Sequence, residues 1–146
     1  MKKLLTVLFF IATLSGCTYT TMSGFTNYNR SQLMLTPAAQ INAQADQAYS
    51  QVIKQAKAKK LLNTNKKTTA RVKRIANRLI ATTPVFRPDA KQWNWEVNVI
   101  TSDTVNAWCM PGGKIVVYSG IINKLKLTDD EIAIVVGHEI VHVDLS

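Results

Sequence analysis

The sequence predicts an α+β fold in which helices pack on a small β-sheet, mixed or antiparallel. Three observations carry this. Apolar residues recur at helical spacing over residues 41–62 and 68–80. Residues 93–99 alternate strictly, and residues 114–118 form a Val/Ile-rich run, as strands do. A last helical segment opens on a capping box at Thr128. With 146 residues the chain has the length of one domain. At 47% hydrophobic and 18% charged residues, its composition is globular rather than disordered. Six Gly and four Pro exclude a low-complexity chain, and two Cys cannot support a disulfide framework. No apolar run reaches the roughly 20 residues of a spanning helix, which excludes a multi-pass membrane protein.

Taken in order, Lys2 and Lys3 precede an apolar stretch from Leu4 to Leu14 that ends in Leu14-Ser15-Gly16-Cys17. A charged start, a short apolar run and small residues describe a secretory signal. This one resembles a bacterial lipoprotein signal, which implies removal of residues 1–16, lipidation of Cys17 and a membrane tether through it. With Thr18 rather than Asp following, the resemblance implies the outer membrane, facing the periplasm. Residues 17–40, rich in Thr, Ser and Asn, are expected as a flexible tether. Residues 41–146 form the domain. Its first helix (41–62) and second (68–80, with Val72, Ile75, Ala76, Leu79 and Ile80 on one side) are separated by Asn63-Thr64-Asn65. Between Lys54 and Lys91 stand twelve Lys/Arg and one acid, Asp89, within a chain of net charge +9. No nucleic-acid motif accompanies that charge, so it is expected as the solvated face of two amphipathic helices, with no nucleic-acid partner.

Thr83-Pro84 to Pro88-Asp89 breaks the helical pattern. Trp93 to Val99 is expected as a half-buried strand and Asn106–Met110 as another extended run. Met110-Pro111-Gly112-Gly113 suits a type II turn, with Pro fixing φ and Gly accepting positive φ. Lys114–Tyr118 returns as a strand, and residues 119–127 are a short helix or turn. In Thr128-Asp129-Asp130-Glu131 the Thr hydroxyl and the Glu carboxylate can cap each other's amides. The helix that follows is apolar nearly all round, so a central, buried position is expected.

That helix carries His138-Glu139-Ile140-Val141-His142, with the only two histidines of the chain. Four residues at 100° each set the imidazoles about 40° apart around the axis and about 6 Å apart along it, within reach of one cation. Imidazole nitrogen is a good zinc ligand, and Glu139 stands beside the same site, where it can take a proton from zinc-activated water. The pattern is that of zinc metalloproteases. On an otherwise apolar helix, three such polar residues would be costly to bury without a partner.

The run Val105-Asn106-Ala107-Trp108-Cys109-Met110-Pro111-Gly112-Gly113-Lys114, with Leu127-Thr128-Asp129-Asp130-Glu131 and Gly137-His138-Glu139-Ile140-Val141-His142, resembles peptidase family forty-eight of the metallopeptidases. That family includes the CAAX prenyl protease, the HtpX heat-shock protease and a group of periplasmic lipoprotein proteases. The resemblance covers about residues 68–142. It implies a zincin-like domain and a zinc endopeptidase acting on unfolded or damaged envelope proteins. It also implies one Zn2+ at His138 and His142, with Glu139 as general base. Asn106, Ala107, Trp108, Pro111, Gly112 and Gly113 would line a cleft where a peptide or protein substrate pairs as an added strand. Trp108 and Cys109 are expected as core or cleft-wall residues rather than catalytic ones, and the Cys109 thiol not as a nucleophile. The family's third ligand is a Glu well downstream of the second His. Asp144 and Glu131 do not suit that role by helical geometry. The chain is therefore expected to hold the N-terminal part of such a domain. An exposed patch is then expected where covering helices would sit. The alternative is an inactive, membrane-tethered lipoprotein that binds partners or membrane.

Overall fold

The computed structural model describes residues 17–19, 31–33 and 38–144. The expected leader, residues 1–16, lies outside them, as do residues 20–30 and 34–37 of the expected tether. Two short strands fall within that stretch: β1 (Cys17–Tyr19) pairs antiparallel with β2 (Ser31–Leu33), Cys17 opposite Leu33.

The first helix, α1 (Ala38–Ala58), stops four residues before the expected end. Lys60 turns left-handed at φ 54°. The Leu61 amide donates to the Ala56 carbonyl at 2.8 Å and the Lys60 amide to the Lys57 carbonyl at 2.9 Å, a Schellman stop that relieves the helix's last carbonyls. Helix α2 (Lys66–Ile80) starts two residues earlier than its apolar pattern, because the Asn65 side chain caps it, accepting from the Thr68 amide at 3.0 Å. The expected break holds two 3₁₀ turns, Thr83–Val85 and Pro88–Gln92.

Strand β3 is Glu96–Ile100, not Trp93–Val99. Trp93 closes the second 3₁₀ turn, its amide donating to the Ala90 carbonyl, and the Trp95 indole N–H donates to the same carbonyl at 2.9 Å. The alternation at 93–95 thus reflects tryptophans packed on a turn, and ladder pairing begins at Glu96. Strands β4 (Ala107–Met110) and β5 (Lys114–Tyr118) form the hairpin, and α3 (Ser119–Leu125) follows. Gly112 has φ +80° and the Gly113 amide donates to the Met110 carbonyl at 3.2 Å, as the type II turn requires. The last helix is α4 (Asp129–Asp144).

The main sheet is mixed, in the order β3-β5-β4. Val97 sits opposite Ile115 in the parallel pair and Ala107 opposite Val117 in the antiparallel pair. Side-chain alternation gives it two covered faces. On one, Val97, Val99, Ala107, Ile115 and Val117 pack with Val72, Ile75 and Ala76 of α2 and with Ile132, Val136 and Ile140 of α4. On the other, Ile100, Val116 and Trp108 pack with Tyr49 and Ala56 of α1. Helices on a small mixed sheet make the fold α+β, as expected.

Helix α4 departs from the expectation of all-round burial. Its buried side is Ile132, Val136, Ile140 and Val143, while Ile134 is 71% and Val141 52% exposed. The α2–sheet layer covers one side only, which leaves these two side chains exposed. The basic side chains Lys54, Lys57, Lys59, Lys60, Lys66, Lys67, Lys73, Arg74, Arg78 and Lys91 are exposed, which fits a solvated outer face.

Candidate metal centre

The helix that bears the histidines is fixed first at its start. The Thr128 hydroxyl accepts from the Glu131 amide at 3.3 Å, and Glu131 Oε2 accepts from the Thr128 amide at 2.7 Å, the reciprocal capping box. The Thr128 amide, and next the Thr128 hydroxyl that donates to the same oxygen at 2.8 Å, hold the Glu131 carboxyl below its ordinary range. Arg71 of α2 bridges to Asp129 and donates to the Leu127 carbonyl at 2.9 Å, and Arg74 pairs with Asp129 at 2.8 Å. Asp129 is held low by the Arg71 bond first and by the two guanidinium charges.

Ten residues on, His138 and His142 stand exposed on the same side of α4. Their Nε2 atoms are 2.9 Å apart, with rings crossed at 80° and centroids 4.4 Å apart. Two nitrogens at 2.0–2.1 Å from a tetrahedral zinc would be about 3.3 Å apart, so a few tenths of an ångström open the pair onto one ion. The donor chemistry fits zinc: two imidazole nitrogens within hydrogen-bond distance of each other, with Glu139 next to His138 and half-buried. Among the described residues, no group of three or more His, Cys, Asp or Glu gathers around a common point. The histidine pair is the candidate donor set among the described residues.

The expected cleft residues divide. Ala107 and Cys109 face α4, packed in its core. Trp108 points to the opposite face, edge-on to Tyr49 at 6.3 Å, so only its backbone could meet a substrate on the α4 side. Asn106 is exposed, its side chain accepting from the Ala107 amide at 2.9 Å and its carbonyl from the Tyr118 amide at 3.1 Å. Pro111 and Gly112 lie in the turn. Gly113 is buried under Trp95, and a Cβ there would stand 2.6 Å from that ring. Among the described residues, β4 is the outer strand and pairs with β5.

Two features had only weak signals in the sequence. One is a polar cluster on the α1 face of the sheet. Lys114 Nζ, 8% exposed, donates to Glu96 Oε1 at 2.8 Å and to the Asn94 carbonyl at 2.7 Å. Tyr49 donates to Glu96 Oε2 at 2.7 Å, and Asn98 donates to the Tyr49 hydroxyl at 2.7 Å. Burial, with the Glu96 carboxylate, pushes the Tyr49 phenol well above its ordinary range. The even-numbered polar positions of β3 were its only sequence signal. The other is Arg87, whose side chain reaches α4; nothing local in the sequence marks it.

Comparison with known proteins gives a consistent result. The sequence model of peptidase family M48 matches residues 66–146. The mitochondrial metalloendopeptidase OMA1 of Schizosaccharomyces pombe is 36% identical over 98 residues, 67% of this chain and 27% of that protein. That of Arabidopsis thaliana is 51% identical over 49 residues, 34% and 10% respectively. The OMA1 of Homo sapiens is 36% identical over 59 residues, 40% of this chain and 11% of that protein. The matched stretch thus spans between a tenth and just over a quarter of those relatives. No solved structure matches the chain. The family match spans more than half of the chain and includes the hairpin and the histidine helix, so the chain belongs to peptidase family M48.

Proposed function

We propose that the chain provides the zinc-binding and proton-transferring part of a metalloendopeptidase, with His138 and His142 as two ligands and Glu139 as general base. The observation that carries this reading is the 2.9 Å approach of the two Nε2 atoms on the exposed side of α4. A zinc ion held there would polarise the scissile carbonyl and make water acidic near neutral pH. Glu139 takes the proton of the attacking water on its carboxylate and returns it to the leaving amine. The outer edge of β4 pairs with an extended stretch of substrate, aligning its backbone beside α4. An edge that reads backbone rather than side chains suits unfolded or damaged proteins of the envelope. The leader and Cys17 make the protein a lipid-anchored one, facing the periplasm from the outer membrane. The relatives named mitochondrial metalloendopeptidases support the peptidase reading and leave the compartment to experiment.

The test is cleavage of casein by the zinc-loaded protein and its Glu139→Gln variant. We expect Glu139→Gln to bind zinc as the parent does and to lose cleavage by about 10²–10⁴-fold. Equal cleavage by both removes Glu139 as base. Zinc binding without cleavage by the parent favours the inactive, partner-binding alternative. Release of Cys17→Ser from the membrane fraction tests the anchor.

A further inference from the structure

The folded chain pairs some of its cations and turns another group of them outward. Arg71 and Arg74 meet Asp129, Arg87 meets Asp89, and Lys114 meets Glu96. Lys59 and Lys60, just past the end of α1, and Lys66 and Lys67, the first residues of α2, are all exposed. None of these four is in an ion pair among the described residues. The connection between the helices gathers them. The Leu61 carbonyl accepts from the Thr101 amide at 2.9 Å, and the Thr64 and Thr101 hydroxyls are 2.6 Å apart. So α1 ends and α2 starts at one end of β3. Lys54 and Lys57, exposed on the last turns of α1, continue the group, and between Asp46 and Asp89 the sequence holds no acid. The start of α2 is a second sign. A helix N-terminus carries a partial positive charge and favours acids. The first turn of α2 has none and opens on two lysines. The fold thus concentrates like charge where it costs stability.

From this we infer that the α1–α2 corner is a docking surface for an anionic phospholipid bilayer. Its cations are all lysines. Lysine is a hydrated point charge that suits a diffuse layer of headgroup phosphates, whereas the arginine fork suits the fixed phosphates of nucleic acid. Residues 54–67 contain no aromatic side chain on which a base could stack. This attraction needs neither acylation of Cys17 nor a metal ion, so it stands apart from both readings above. The surface also sets an orientation. Helices α2 and α4 run side by side in the same direction: Arg71 meets Asp129, and eight residues further along each helix Leu79 lies against Gly137. Lys66 stands thirteen residues before Leu79, about 20 Å along the axis. His138 follows Gly137. A bilayer at the corner therefore leaves the histidine pair about 20 Å away, open to solvent.

The experiment is co-sedimentation of the 146-residue chain with vesicles of phosphatidylethanolamine and phosphatidylglycerol, and with vesicles of phosphatidylcholine alone, at low and high salt. Lys66→Glu/Lys67→Glu is compared with Arg78→Glu/Lys91→Glu, an equal change of charge on exposed residues nearer the histidine end. We expect the parent and Arg78→Glu/Lys91→Glu to bind the anionic vesicles more tightly than the neutral ones and to be released by salt. Lys66→Glu/Lys67→Glu should bind about 25-fold more weakly, about five-fold for each lysine. Its Tm should equal or exceed the parent's, because acids now stand at the positive end of α2, so the loss is not one of folding. Parent-like binding by Lys66→Glu/Lys67→Glu overturns the corner as the surface, and so does an equal loss in Arg78→Glu/Lys91→Glu, which would make net charge the cause. Equal binding of the parent to neutral and anionic vesicles overturns it too. Tighter binding to single-stranded RNA than to either vesicle replaces the bilayer with nucleic acid. If Lys66→Glu/Lys67→Glu does not fold, parent-like binding by Lys59→Gln/Lys60→Gln overturns it. On vesicles, diethyl pyrocarbonate should modify the two histidines at the rate found in solution, and protection from it overturns the orientation.

Discussion

At single positions, the two turn glycines separate conformational from steric cost. Gly112 and Gly113 have nearly equal φ, +80° and +82°, but a Cβ meets nothing at the first and the Trp95 ring at the second. Gly112→Ala should cost about 1–2 kcal/mol, the left-handed penalty alone. Gly113→Ala should cost clearly more, by the displacement of an indole that is itself hydrogen-bonded; urea unfolding of both variants measures the difference, and equal costs would mean that Trp95 yields freely. The Lys114–Glu96 pair makes a second prediction. The Lys114 hydrogen bond, then that of Tyr49 and the Lys114 charge, hold Glu96 below its ordinary 4.5. A depressed carboxylate binds fewer protons folded than unfolded, so its stabilisation is full above pH 4.5 and is lost as pH falls through the folded value. Glu96→Gln should therefore flatten the acid limb of the stability–pH curve. At neutral pH it should cost about 1 kcal/mol rather than the 3–5 kcal/mol of a fully buried pair, because the Glu96 side chain is 41% exposed.

Among the elements, α4 is specified most completely, because its start, its buried side and its anchors agree. Thr128→Ala removes an acceptor for the Glu131 amide and a donor to the Glu131 carboxylate. The expected loss is about 1 kcal/mol in chemical denaturation, with the histidine spacing unchanged. A loss near zero would mean that Arg71 and Arg74 fix the helix start unaided. The capping box, the hairpin and the Nε2 convergence were legible in the sequence because each depends on residues close in the chain. The end of α1 was not, since Lys60 adopts a left-handed conformation that no Gly or Asn announces. Nor was the start of β3, where period-two spacing of Trp93 and Trp95 copies a strand while both donate to the Ala90 carbonyl of the 3₁₀ turn before it. The face that Trp108 takes was left open for a related reason. Proximity to the motif suggested the cleft, whereas the pleat sends it to α1. The hydrogen bond from Arg87 to the Val143 carbonyl joins positions 56 apart, which no local pattern can register.

For the molecule as a whole, metal binding and folding should be one equilibrium. Helix α4 contributes Ile132, Val136 and Ile140 to the core that also holds α2 and the sheet, so it cannot unravel without exposing that core. An ion bridging His138 and His142 binds only when α4 is wound, and so stabilises the folded state by linkage. At zinc one hundred times its Kd, that amounts to about 2.7 kcal/mol. For a domain of this size the shift in Tm should be roughly 10 °C. Both histidines are exposed, so His138→Ala and His142→Ala should leave the metal-free stability within about 0.5 kcal/mol of the parent while abolishing the zinc-dependent rise in Tm. A chelator should reverse the rise in the parent. Calorimetric scans with and without zinc decide the matter. If the rise persists in either histidine variant, the ion is bound elsewhere, and the imidazole pair is then only a surface contact between neighbouring turns.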